Sequence, residues 1–544
     1  MMKIFKSSLF IGIAFVLLVI GCKSQNSPTH PRKSTSTPSK NPKTLRINLT
    51  GEPSTLDPRK ARSLNDLNVI KMVMDGLTRI NYQGEPSLAL AEEVQISDDR
   101  LTYTFTLKKI KWSNGESLTA HDFIYAWRKS LSPNFPSDNA SLLYVIKNAE
   151  LIKQGKLPNS LLGVQALDEK TLAIQLEKPI PYLLELLASP SFYPVCAKAD
   201  KLNPHWAENA ETYISCGPFK LETWRHSDSI EVVKNEEYWD SQHVKLKKIS
   251  MMMVTPETGL NMYENNELDW EGSPLSNIPL DALNFLKEQG KLNTQSSLLT
   301  SFIRTNTQKA PFNSIHVRKA FAIAMDRQNL IEHVLHGNAS YASGLVPAFL
   351  GLRNQEYFQD KDETQAKALI EKALELKEIS KEDLSHITLS FLSNEKNYRI
   401  CQALQEQWKK VFNIDIQLEA IEGKIYFNKV SQKNFQLALG SWVADFRDPI
   451  NFLEVFKTRD IGTNNTSWEN QEYFTKLEQS YTTTSTEERT AILKECEQIL
   501  IQEMPIIPIW HGTMHYVKND TVKNVVISDC GGIDFKWAFI DKKI

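Results

Sequence analysis

Residues 101–123 read LTYTFTLKKIKWSNGESLTAHDF, and three kinds of local structure follow one another within them. Leu101, Tyr103, Phe105 and Leu107 alternate with threonines, the two-residue period of a half-buried strand. Trp112-Ser113-Asn114-Gly115-Glu116 comes next, where Asn-Gly supplies the positive φ angles of a tight turn. Thr119-Ala120-His121-Asp122 then opens a helix, with Thr119 as N-cap and apolar positions at Phe123, Ala126 and Trp127. Strand, hairpin and helix in so short a run predict a mixed α/β chain, not an all-helical one and not a barrel of short strands.

The alternation continues further along. Val317, Ala320, Phe321, Ala324 and Met325 recur at helical spacing, and Leu330, Ile331, Val334 and Leu335 continue the stripe. An amphipathic helix is expected near 364–376, with strands at 387–391 and 414–418 and a helix near 398–411 between them. Strand, helix, strand of this length reads as an α/β crossover unit. No repeat of 20–50 residues is present, which argues against a solenoid or a propeller.

The N-terminus carries Lys3 and Lys6, then an apolar run from Leu9 to Ile20 broken only by Gly12. This is the pattern of a secretion signal, and the run is short of the roughly 20 residues a membrane span needs. Val19-Ile20-Gly21-Cys22 resembles the bacterial lipobox, which implies acylation of Cys22 and removal of residues 1–21 as a signal peptide. Residues 22–44 are mostly Ser, Thr, Pro and Lys and cannot bury enough surface to offset their ordering entropy. They are expected to form a lipidated flexible tether with a reach on the order of 25 Å. The body is therefore placed outside the cytoplasm, as a membrane-anchored lipoprotein of the cell envelope or periplasm.

About 500 residues follow, enough for two to four domains. With 63 basic against 65 acidic residues, no basic excess points to nucleic acid. Beyond Cys22 the cysteines are Cys196, Cys216, Cys401, Cys496 and Cys530, odd in number and without a CxxC pair, so buried free thiols are expected. There is no HExxH, GxSxG, phosphate loop or GxGxxG, and neither catalytic residues nor a cofactor is assigned. His511 and His515 are four apart, but Pro505, Pro508 and Gly512 argue against a helix there. They are read as loop or strand residues and not as metal ligands.

Five further segments, taken in order, carry a resemblance. They are Glu52-Pro53-Ser54-Thr55-Leu56-Asp57-Pro58; Lys111 to Gly115 with Thr119 to Phe123; Cys216-Gly217-Pro218-Phe219 before Asn235-Glu236-Glu237-Tyr238-Trp239; Pro311 to Ala320 leading into Ala324-Met325-Asp326-Arg327; and Trp442-Val443-Ala444-Asp445-Phe446-Arg447-Asp448-Pro449. Together they resemble the peptide-binding family of solute-binding proteins that serve ABC importers. The likeness covers the whole body after the tether.

That resemblance implies an α/β, periplasmic-binding-protein-like, two-lobed cleft with an extra inserted domain. Domain I would comprise residues 45–63, 202–298 and 513–544, domain II the insertion 64–201, and domain III residues 299–512. It implies a monomer that takes short peptides and delivers them to an ABC permease of the inner membrane. In the family the aspartate matched by Asp445 anchors the peptide α-ammonium beside Trp442, and Glu52 matches a second acidic residue nearby. A carboxylate in a dry cleft holds such a charge well. The ligand backbone would pair with protein strands, which is blind to side chains.

Trp112, Asn114 and Gly115 read as hairpin scaffold, and Arg318 and Asp326 as surface or capping residues. The family pattern is also broken in three places. Val443 stands where oligopeptide binders have a disulfide cysteine, with Leu299 at the partner position, so an apolar contact would replace the bond. Leu439 stands where an arginine would meet the ligand carboxylate, and the histidine used for longer peptides falls near Asn397. Arg399 and Lys429 are the nearby cations considered as substitutes. On the same fold the ligand is alternatively a murein peptide, a nickel chelate, haem or a sugar. An extracytoplasmic hydrolase or peptidase, or an adhesin or chaperone, are the readings of another class.

Overall fold

Two strands of 13 residues each, Asn293–Thr305 and Ile506–Lys518, pair antiparallel and form the spine of the protein. The computed structural model describes residues 44–352 and 356–541; the expected signal peptide, Cys22 and tether residues 22–43 lie outside the described residues. An 11-stranded mixed sheet grows from this spine in both directions. On one side follow Trp270–Gly272, Thr44–Asn48, Lys248–Met252, Ser229–Lys234 and Phe219–Arg225. On the other follow Leu437–Val443, Ile387–Leu392 and Ile416–Ile421, and the short strand Ala339–Tyr341 pairs with Ile506–Lys518 off this path. A separate four-stranded antiparallel sheet is built from Ala91–Ile96, Thr102–Leu107, Thr171–Gln175 and Val164–Ala166.

The opening stretch folds as its pattern dictates. Tyr103, Phe105 and Leu107 turn inward from the strand Thr102–Leu107 while the threonines stay half-buried. Ile110–Lys111 and Ser117–Leu118 close a hairpin in which Gly115 takes φ 87°, a left-handed value that glycine adopts without a Cβ penalty. Thr119 caps the helix Ala120–Ser130 in a reciprocal box with Asp122. Phe123, Ala126 and Trp127 are buried on one face, and Trp127 stacks edge-on against Phe123 and Phe192.

The expected crossover unit is present as Ile387–Leu392, the helix Glu395–Phe412 and Ile416–Ile421, the two strands being parallel neighbours. The helix near 364–376 is Glu363–Glu375. The stripe from Val317 to Leu335 is not one helix. It stops at Ile323, Asp326 caps a new turn by accepting from the Asn329 N–H at 2.9 Å, and Leu330–Val334 winds as a wider turn. Arg318 is a correction to the surface reading: it is buried and donates to the carbonyls of Glu503, Phe312 and Asn313. His511 and His515 lie on the spine strand. Cys196, Cys216, Cys401 and Cys496 are buried free thiols, whereas Cys530 is only half-buried.

Candidate functional site

The site grows from the strand Leu437–Val443. One edge pairs with the spine strand from Leu299↔Val443 to Thr305↔Leu437, so Leu299 and Val443 stand directly opposite each other. On the other edge the strand Ile387–Leu392 reaches only Leu437 and Ala438. The Ala444 N–H donates to Leu298 O at 2.9 Å across the first edge. Backbone groups alternate sides every residue, so those of Ser441 and Val443 point to the second edge. Among the described residues no strand pairs with them there. An open edge of this kind is a template for an added strand.

The turn after this strand assigns each residue a separate task. Asn451 Oδ1 accepts from Trp442 Nε1 at 3.0 Å and from the Asp445 N–H at 3.2 Å, which fixes the backbone that carries Asp445. Phe446 stacks on Tyr182 with ring centroids 4.4 Å apart. Arg447 bonds Asp529 at 2.7 Å through its guanidinium and donates its backbone N–H to Glu185 at 2.5 Å. Asp448 takes a two-pronged bond from Arg489, both contacts at 2.9 Å.

The Asp445 side chain is bonded by Asn451 but has no charged partner among the described residues. It opens into a cavity of about 980 Å³ lined also by Val443, Arg447, Glu185, Asp529 and Lys71. Its surface is open to the cavity, yet protein surrounds it closely enough that burial pushes its carboxyl above the usual carboxylate range. Burial likewise pushes Glu185 up to about 7 and raises Asp529 against the pull of Arg447. Asp445, without a cation among the described residues, leaves this wall with a carboxylate that can receive a positive charge brought from outside.

Several residues singled out in the sequence stand elsewhere. Trp442 supports the turn through Asn451 and packs against the core, and it is not among the residues lining the cavity. Glu52 accepts from Trp224 at 3.0 Å, from His226 at 2.5 Å and from Ser227 at 2.9 Å, away from the cavity. Against the upward push of burial, the bonds from His226 and Ser227 hold its carboxyl below the usual range. Arg399 pairs with Glu395 one helical turn away, at 2.6 Å on an exposed face. Lys429 is bonded to Glu419 at 2.5 Å beside a second cavity of about 620 Å³. Val443 and Asp445 are thus the two residues of that set that meet at the main cavity. Glu185, Asp529 and Lys71 escaped notice because they come from three distant segments and belong to no motif.

Comparison with known proteins agrees with this geometry. Residues 85–464 match the model of bacterial extracellular solute-binding proteins, family 5 Middle. The chain is 39% identical to the oligopeptide-binding protein OppA of Bacillus subtilis (strain 168), over 92% of this chain and 93% of that protein. It is 32% identical to the dipeptide-binding protein DppE of the same organism, over 98% of each. Haemophilus influenzae OppA in complex with RPPGFSPFR superposes with a TM-score of 0.78 at 27% identity, covering 92% of this chain and 99% of that one. The Escherichia coli murein tripeptide binding protein MppA gives 0.78 at 28%, with the same coverage. The architecture is therefore the periplasmic-binding-protein-like α/β fold. The chain belongs to the bacterial extracellular solute-binding proteins of family 5.

Proposed function

We propose that this solute-binding protein captures short peptides by their α-ammonium group and hands them to an ABC permease. The observation that carries the reading is Asp445: a carboxylate without a cation partner among the described residues, two residues beyond an unpaired strand edge and open to a cavity of about 980 Å³. An extended peptide would add itself to the edge at Ser441–Val443 with main-chain bonds and seat its ammonium on Asp445. Each piece of that recognition is common to all peptides, so broad specificity follows. The oligopeptide and dipeptide binders among its relatives support the choice of ligand.

The three-domain division proposed from the sequence supports a closing cleft. Its boundaries at 298/299 and 512/513 fall where the spine loses register, three residues (297–299) opposing Gly512 between the pairs Ser296↔Thr513 and Thr300↔His511. A Cβ at Gly512 would lie 3.0 Å from the Leu299 Cβ, so a larger residue here would have to push Leu299 aside by a few tenths of an ångström. An irregular step shared by two long strands is where two lobes would swing. Among the described residues no helix is long and apolar enough to cross a membrane. The membrane connection we propose is the acyl chain on Cys22, with the receptor acting as a monomer on its tether. Mass determination of the purified chain before and after Cys22→Ser tests the anchor.

Native mass spectrometry of the protein purified without refolding tests the ligand. A co-purifying ladder of short peptides, displaced by added tripeptide, is the expected result. A single non-peptide solute that peptides fail to displace would overturn it.

A further inference from the structure

Arg304 lies on the spine strand opposite Ala438. Among the described residues four arginines are buried, and each is held by acids or carbonyls. Arg59 bonds Asp57 and Asp200, Arg79 bonds Asp75 and Asp534, Arg318 bonds the Glu503 and Phe312 carbonyls, and Arg327 bonds Asp360 and the Pro508 carbonyl. Arg304 is different. Protein encloses it, and burial pushes its guanidinium below the ordinary arginine value, yet among the described residues it meets no carboxylate. Its neighbours are the Phe302 ring, 5.0 Å away, and the Tyr426 hydroxyl. Part of its surface stays open.

Its direction is set by the adjacent strand. The guanidinium crosses Leu437–Val443 at Gly440, where any Cβ would collide with its Nη1 and Cζ. Tyr426, its polar neighbour, donates its hydroxyl to Leu439 O, a carbonyl of the unpaired edge. The guanidinium therefore lies over this strand at Gly440, beside the tyrosine that bonds the free edge. The expected arginine position cannot serve instead: Leu439 is 6% exposed and packs in the core opposite Ile303.

We propose that Arg304 binds a carboxylate of the captured ligand, with Gly440 leaving the room its guanidinium occupies. The proposal rests on the peptide reading and adds the second charge of the ligand to it. Gly440 and Asp445 are five residues apart, about 16 Å if fully extended. An added strand with its ammonium at Asp445 therefore presents its fourth or fifth residue near Gly440, and the carboxylate is either a C-terminus or an acidic side chain there. Lys71, whose ammonium lies in the field of Asp534 and Cys530 at the main cavity, is the competing cation.

Calorimetry on the intact chain tests this with tetra- and pentapeptides in four forms: free acid, C-terminal amide, and amides with Glu or Gln at the last position. The wild-type chain should bind the carboxylate-bearing member of each matched pair about tenfold tighter or more. The gap between free acid and amide, or between Glu and Gln, identifies which carboxylate is read. Arg304→Gln should erase the preference while leaving the thermal midpoint and the requirement for a free N-terminus unchanged. Gly440→Ala, which displaces the guanidinium, should do the same and decides the matter where Arg304→Gln fails to fold. A preference that survives both variants, or that only Lys71→Met abolishes, overturns the assignment. A wild type that binds these peptides without regard to carboxylates overturns Arg304 alone. A wild type that binds none of them overturns the peptide reading and this inference together.

Discussion

The Arg79 cluster and the Asp445 wall are both acidic regions, one buried and one open to a cavity, and they treat charge in opposite ways. Arg79 is 4% exposed and bonds Asp534 at 2.5 and 2.9 Å, Asp75 at 3.1 Å and the Lys71 carbonyl at 2.8 Å. Asp75 in turn accepts from the Tyr238 hydroxyl at 2.6 Å. Every charge there has its complement within the chain. At the Asp445 wall Arg447 pairs with Asp529 and lies in the field of Glu185, while among the described residues Asp445 has no cation. The first arrangement holds distant segments together; the second, in the reading we propose, is completed by the cation of a ligand. A closed network spends its electrostatics on the fold, and an open one keeps it for a ligand.

The largest effect should come from breaking the closed network. Arg79→Met strands Asp75 and Asp534, and denaturant unfolding should show a loss of about 3–5 kcal/mol. A loss under about 1 kcal/mol would erase the contrast between the two regions. Asp445→Asn should do the reverse. Peptide affinity should fall by about 2–3 kcal/mol in calorimetry while stability stays level or rises, because an unpaired charge has been removed.

Glu271 sharpens the contrast, being an acid that pairs with no cation among the described residues. It is fully buried, accepts from Ser276 at 2.5 Å and from Asn48 at 3.3 Å, and its Oε2 is unsatisfied. Burial pushes its carboxyl up to about 7, above its ordinary 4.5. The folded state therefore holds this proton more tightly than the unfolded one. Its contribution to stability is full below about pH 4.5 and is lost as pH rises through about 7. Glu271→Gln should remove that decline, gaining about 1–2 kcal/mol over wild type at pH 8 relative to pH 5. Equal pH slopes in the two proteins would count against the burial account.

The smallest effect belongs to the open edge. Val443→Pro deletes one N–H that faces no strand, so the fold should tolerate it. Peptide affinity should fall by about 1 kcal/mol, the worth of one main-chain bond. A large loss of stability would show that this edge is already paired.

What the sequence disclosed follows the range of the interactions involved. Alternation in residues 101–107, the Asn-Gly turn and the Thr119 cap are local, and each stands where its pattern put it. The Leu299–Val443 pairing was legible only through the family resemblance, since the two residues are 144 positions apart. The roles of Glu52 and Lys429 were not legible. Glu52 is claimed by Trp224, His226 and Ser227, about 170 positions away, and no short-range pattern announces such partners. Arg399 had Glu395 four residues before it, a helical spacing that already marked it as a surface pair. Arg304 was hidden for another reason: its reach depends on strand register, which decides that Gly440 is the residue it crosses.

The central claim is that the ligand's ammonium completes the charge of Asp445. Affinities of one tripeptide with a free and an acetylated N-terminus, measured by calorimetry on wild type and Asp445→Asn, test it most directly. Wild type should lose about 30-fold or more on acetylation and the variant no more than about threefold. Equal binding of the two peptides by wild type, or the same loss in both proteins, would contradict it.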